Sequence, residues 1–106
     1  MTKVVVTGAA GDLGQKVCRH LRSVAGIDVM AIDIAADDDP TIASADLAVF
    51  SPKWAQLFDG ADAVVHLAAN RRRYAPWRDL WRDNVDATLN VYEAAARYGP
   101  MRFIFA

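Results

Sequence analysis

The stretch Lys3-Val4-Val5-Val6-Thr7-Gly8-Ala9-Ala10-Gly11-Asp12-Leu13-Gly14 decides the fold. Its first half is a short β-branched run, the pattern of a strand buried on both faces. Its second half spaces three glycines at positions 8, 11 and 14. From there Leu13, Val17, Leu21 and Val24 recur at helical spacing, and Gly26 supplies a stop. Asp28 to Ile34 is the next apolar run, a second strand. Strand, glycine-rich turn, helix and strand make a βαβ unit, so the two strands are parallel and the crossover right-handed.

Each glycine has a physical task. Gly8 permits the tight turn off the strand, Gly11 lets backbone N–H groups approach a pyrophosphate with no Cβ in the way, and Gly14 lets the helix pack close to the sheet. Asp12, Leu13 and Gly14 open the helix, whose N-terminus carries partial positive charge suited to an anion. A glycine-rich turn without a ligand uses the same residues; the preceding strand and following helix are what favour the phosphate reading. A nucleoside-triphosphate loop is excluded, because Gly14 is followed by Gln15-Lys16-Val17 and not by Lys-Ser or Lys-Thr. Asp33 closes the second strand, where a carboxylate can accept hydrogen bonds from both hydroxyls of an adenosine ribose. It would repel a 2′-phosphate, and Ile34 offers no cation to welcome one, so NAD is expected over NADP. A solvated surface acid is the alternative for Asp33.

Outward from this unit the alternation continues. Asp37-Asp38-Asp39-Pro40 is a polar breaker, and Thr41 to Ala45 a weak third strand. Ser51-Pro52 reads as an N-cap and first helical position, Trp54, Leu57 and Phe58 as the apolar face of a short helix, and Gly60 as its end. Ala63 to Leu67 is a fourth strand. Pro76 opens the last helix, with Trp81, Val85, Leu89, Tyr92 and Ala96 expected along its buried face; Gly99-Pro100 stops it, and Arg102 to Phe105 begins a fifth strand. The expected architecture is one α/β domain over 1–106, a doubly wound parallel sheet of order 3-2-1-4-5.

Composition narrows the function classes. Of 106 residues 54% are hydrophobic, which excludes a disordered chain. Twelve Lys and Arg against 13 Asp and Glu give a net charge of −1, so neither nucleic acid nor an anionic membrane is an expected partner. No apolar run approaches the roughly 20 residues of a membrane span. A single cysteine, Cys18, and a start without signal-peptide features fit the cytoplasm. No metal is expected. The charge is uneven, however: Asp33, Asp37, Asp38, Asp39 and Asp46 share one stretch, and Arg71, Arg72, Arg73, Arg78 and Arg82 another.

Three segments together resemble the extended short-chain dehydrogenase family, also called the NAD-dependent epimerase/dehydratase family. They are Thr7 to Gly14, whose glycine spacing differs from Gly-x-Gly-x-x-Gly, then His66-Leu67-Ala68-Ala69, then Asn84 to Ala96. The resemblance implies a Rossmann-type fold and further roles. Asp46 would bond the adenine amino group, with Leu47 lending backbone. Leu67, Ala68 and Ala69 would form the turn beneath the pyrophosphate and nicotinamide ribose. Asn84 would be the helical Asn behind the active site, at least half-buried, with an ordinary structural amide as the alternative. His66 reads as a satisfied core histidine and not a catalyst. Asn70 to Trp81 and the ending Arg102 to Ala106 look like those of uronate dehydrogenases, which oxidise the anomeric carbon of a sugar acid. The triplet Arg71-Arg72-Arg73 is a solvated basic loop on the bland reading; an Arg there could also hold a substrate carboxylate.

The family's reaction uses a Ser or Thr after the fifth strand, then a Tyr with a Lys four residues later. Tyr74, Tyr92 and Tyr98 are followed at that distance by Arg78, Ala96 and Arg102, so no catalytic residue is assigned. The chain therefore reads as the NAD-binding front part of a longer oxidoreductase acting on a sugar or sugar acid. A sugar-nucleotide epimerase or dehydratase, and a non-catalytic NAD-binding sensor, are the alternatives. The apolar fifth strand is expected to lie uncovered and to favour association with another copy.

Overall fold

The computed structural model describes residues 1–36, 38–99 and 101–106. Asp37 of the expected breaker and Pro100 of the expected helix stop lie outside the described residues. Five strands form one sheet: β1 Thr2–Thr7, β2 Ile27–Asp33, β3 Ile42–Ser44, β4 Ala63–His66 and β5 Arg102–Phe105. Their order is β3-β2-β1-β4-β5, and each neighbouring pair is parallel. The expected Rossmann-type order is the observed one. Val5 stands beside Met30 and Val64, which fixes the register at the sheet centre.

Successive strand residues face opposite ways, and this divides the core. Val5, Ile32 and Val64 pack with Trp54, Phe58, Ala87, Val91, Ala94 and Ala95 on one face. Val4, Val6 and Ala31 pack with Ala9 and Cys18 on the other. Helix α1, Asp12–Arg22, covers the second face. Helix α2, Pro52–Ala55, continues as a 3₁₀ turn over Gln56–Phe58 and covers the first face. As the sequence suggests, Ser51 caps α2, its hydroxyl accepting from the Lys53 amide at 3.2 Å.

Two expected faces are different in the structure. In α1 the apolar contacts come from Val17, Cys18 and Leu21, whereas Leu13 is half-exposed and Val24 lies beyond the helix. The helix ends at Arg22, where Ser23 caps it; Gly26, at φ +84°, makes the turn into β2 instead. The last helix is broken in three: α3 Trp77–Leu80, a π-helical turn Trp81–Asp86, and α4 Ala87–Arg97. Its sheet-facing residues are Ala87, Val91, Ala94 and Ala95, while Trp81, Leu89 and Tyr92 are exposed. The expected stripe is exposed where the π-helical turn opens, at Trp81, as well as after it, at Leu89 and Tyr92, and the sheet takes the small-residue face of the helix instead. Small alanines also let α4 approach the sheet more closely than large side chains would.

Ile104 is paired with Val65 on the α1 side of the sheet and is 47% exposed, and Phe105 is 63% exposed. No helix among the described residues is long and apolar enough to cross a membrane.

Candidate functional site

The carboxyl ends of β1, β2 and β4 open together into a crevice of about 640 Å³. Gly8, Gly11, Asp12, Leu13 and Gly14 line it from the turn after β1. Asp33 and Ile34 line it from β2, Asp46 and Leu47 from the loop after β3, and Leu67, Ala68 and Ala69 from the loop after β4. Eleven of the twelve residues singled out above therefore share one cavity. The twelfth, Asn84, is absent from the wall.

The turn is built by close approach. Gly8 has φ +70°, and a Cβ there would lie 2.7 Å from the Ala68 nitrogen. A Cβ on Gly14 would lie 2.0 Å from the Gly8 oxygen, so Gly14 lets the helix fold back onto the turn itself, more than onto the sheet. The Gly11 amide donates to the Gly8 oxygen at 3.1 Å, and Gly11 is the N-cap of α1 with no side-chain cap bond. The first amides of the helix thus point at the crevice without a side chain to satisfy them. An anionic group fits this turn, which offers uncapped donors, no Cβ at the N-cap, and a helix dipole directed at the gap.

Asp33 braces this turn. One carboxylate oxygen accepts from the Ala10 amide at 2.9 Å, and the other from the Ala35 amide at 2.8 Å. Asp46 lies along the wall, accepting from the Ala48 amide at 3.1 Å and forming an ion pair with Arg82. Arg82 also reaches Asp83 at 3.1 Å. Leu47 is held by Asn90, whose side-chain amide donates to its carbonyl at 2.9 Å.

Asn84 acts behind the wall. Its side-chain oxygen accepts from the Asn70 amide at 2.6 Å, and its side-chain nitrogen donates to the Asn70 carbonyl at 3.1 Å. This two-point clasp ties the loop after β4 to the π-helical turn.

A buried polar chain lies beneath the crevice floor, and sequence reading saw only its histidine. Thr7 and His66 are 0% and 1% exposed. The Thr88 hydroxyl donates to the Asn84 carbonyl at 2.6 Å, so its oxygen is left to accept from His66 Nε2, 3.0 Å away. His66 Nδ1 is then the acceptor for the Thr7 hydroxyl at 2.7 Å. The Thr7 oxygen in turn accepts from the Leu67 and Ala68 amides at 3.1 and 3.2 Å. Every member is satisfied with a neutral imidazole, and burial pushes the His66 pKa down to about 4. His66 is a structural histidine.

Other wall residues were not foreseen as such: Ala45, Ala48, Asn70, Asp83, Ala87 and Ala106. Most are small residues whose backbone forms the wall, and no side-chain chemistry announces that. Arg71 and Arg72 of the basic triplet reach the crevice and Arg73 does not. Among the described residues no three His, Cys, Asp or Glu side chains are grouped to hold a metal ion.

Comparison with known proteins agrees with this geometry. The chain is 33% identical to L-arabinose 1-dehydrogenase (NAD(P)(+)) of Haloferax volcanii over 100% of its own length and 41% of that protein's. It is 30% identical to a uronate dehydrogenase of Pseudomonas putida over 98% of its length and 40% of the relative's. A mutant uronate dehydrogenase of Agrobacterium tumefaciens, solved in complex with NAD, superposes with a TM-score of 0.74 at 29% identity, covering 100% of this chain and 40% of that one. The chain thus spans about two fifths of the length of these proteins. The model of the NAD-dependent epimerase/dehydratase family matches residues 4–106. With the parallel sheet, the glycine turn and Asp33 in one crevice, this chain belongs to that family.

Proposed function

We propose that the chain is the dinucleotide-binding part of an NAD-dependent oxidoreductase that acts on a sugar or sugar acid. One observation carries the reading: the uncapped start of α1 and the Asp33 carboxylate face the same crevice. Amides at Asp12, Leu13 and Gly14 hold the diphosphate, Gly11 admits it with no Cβ in the way, and Gly8 keeps the turn tight enough for the amides to converge. Asp33 receives the hydroxyls of the adenosine ribose while its bonds to Ala10 and Ala35 hold it in place. Asp46 and Leu47 flank the adenine. Leu67, Ala68 and Ala69 run beneath the diphosphate and nicotinamide ribose, positioned from below by Thr7 and from behind by Asn84. Bound NAD supplies the hydride acceptor. The catalytic Ser, Tyr and Lys belong to the remainder of a longer protein, as the relatives' lengths support. The buried Cys18 thiol fits the reducing cytoplasm, and the exposed aromatic stripe of Trp77, Trp81 and Tyr92 fits association with another copy.

An epimerase or dehydratase is the second reading, favoured by the breadth of the matched family. Net accumulation of NADH with substrate separates the two, since an epimerase returns its hydride.

Calorimetry tests the binding assignment. NAD and ADP-ribose are expected to bind, and NADP about tenfold more weakly or worse, with Asp33→Ala removing that preference. Absence of binding by all three would remove the basis for the proposal, and equal NAD and NADP affinity would remove the role of Asp33.

A further inference from the structure

Two cations line the crevice, and they differ. Arg72 is committed: its backbone amide and Nε donate to Asn70 Oδ1 at 3.0 and 3.4 Å, and its guanidinium lies 3.6 Å from Asp79. Arg71 forms no hydrogen bond or ion pair among the described residues. The acids of the wall cannot serve it, because each is engaged elsewhere. Asp12 pairs with Lys16 at 3.5 Å, and Asp33 accepts from two backbone amides. Asp46 pairs with Arg82, while Asp83 accepts from Arg82 and, at 2.9 Å, from the Asn70 side chain. Among the described residues, Arg71 is therefore the crevice's unanswered positive charge.

Its place along the crevice is informative too. The strand order sets Asp33 and Asp46 at the β2–β3 end, and Arg71 and Ala106 at the β4–β5 end. A dinucleotide lying across the α1 N-terminus with its ribose on Asp33 directs its reactive end toward Arg71.

We propose that Arg71 is a specificity-determining residue that receives an anionic group, carboxylate or phosphate, on the sugar substrate. This rests on the dinucleotide-binding reading above and narrows its substrate class from sugars in general to anionic sugars. A guanidinium facing an oxyanion makes paired, charge-assisted hydrogen bonds, which a neutral sugar cannot reproduce.

The test uses the full-length gene product saturated with NAD. Galacturonate, glucose 6-phosphate and galactose are compared by kcat/KM and, in parallel, by equilibrium binding of each sugar. One anionic sugar is expected to exceed galactose by at least about tenfold in both readouts, and which one distinguishes carboxylate from phosphate. Arg71→Ala is expected to lower the preferred anion's values by about 10- to 100-fold and leave galactose unchanged, with Arg71→Lys restoring part. Arg73→Ala, outside the crevice, is expected to change neither. Equal handling of anionic and neutral sugars, or equal losses for both in Arg71→Ala, would overturn the inference while NAD binding stood. Failure to bind NAD would overturn both readings.

Discussion

The Asp33 carboxylate stands 2.9 Å from the Ala10 amide, so the acid at the end of β2 and the glycine turn after β1 are one mechanical unit. Whatever Asp33 offers a ligand, it offers from a position fixed by the glycine turn. Asp33→Asn keeps an acceptor toward Ala10 and loses the negative charge. The expected result is a modest loss of stability, about 1 kcal/mol, together with roughly a tenfold fall in the NAD:NADP affinity ratio. Thermal melts and calorimetry on the same variant separate the two effects.

Gly14 and Gly26 make a controlled pair. A methyl group at Gly14 would meet the Gly8 oxygen at 2.0 Å, and the atoms that would have to yield are backbone. At Gly26 there is open space and only a positive φ to oppose it. Gly14→Ala is expected to cost at least about 3 kcal/mol, lowering Tm by 10 °C or more and abolishing NAD binding. Gly26→Ala is expected to cost about 1 kcal/mol and leave the NAD affinity of the folded protein unchanged. Similar penalties for the two would contradict the close-approach account of the turn.

Much of this was legible in the chain. The β-branched run before Gly8 and the spacing of Gly8, Gly11 and Gly14 announce strand, turn and helix because each step has its own local physics. Asp33 was legible by its position at a strand end. The stripe on the last helix was not: Trp81, Leu89 and Tyr92 repeat at helical intervals yet stay exposed, while Ala87, Val91, Ala94 and Ala95 face the sheet. Large apolar side chains give a stronger periodic signal than the alanines that are buried. The buried chain from Thr7 through His66 to Thr88 was equally hidden, since it joins β1, β4 and α4 only once the sheet is assembled.

That chain makes a pH prediction. Burial moves His66 from 6.5 to about 4, so the unfolded protein takes up a proton that the folded one refuses. The contribution is complete above pH 6.5 and is lost as pH falls toward 4, by about 2–3 kcal/mol. Urea melts of the wild type and His66→Gln at pH 7 and pH 4.5 isolate it, because the carboxylates common to both cancel. The gap between the two proteins is expected to narrow at the lower pH. A gap that stays constant would show that His66 is not held neutral.

The central claim is that amides at the start of α1 and the Asp33 carboxylate grip opposite sides of one dinucleotide. Titrating ¹⁵N-labelled protein with ADP-ribose, which carries the diphosphate and adenosine without the nicotinamide, examines it residue by residue. The account predicts the largest amide shifts at Gly11 to Gly14, with further shifts at Ile34 and Leu47, and almost none at Gly26 or Gly60. Saturable shifts confined to a different face, with Gly11 to Gly14 unmoved, would contradict it.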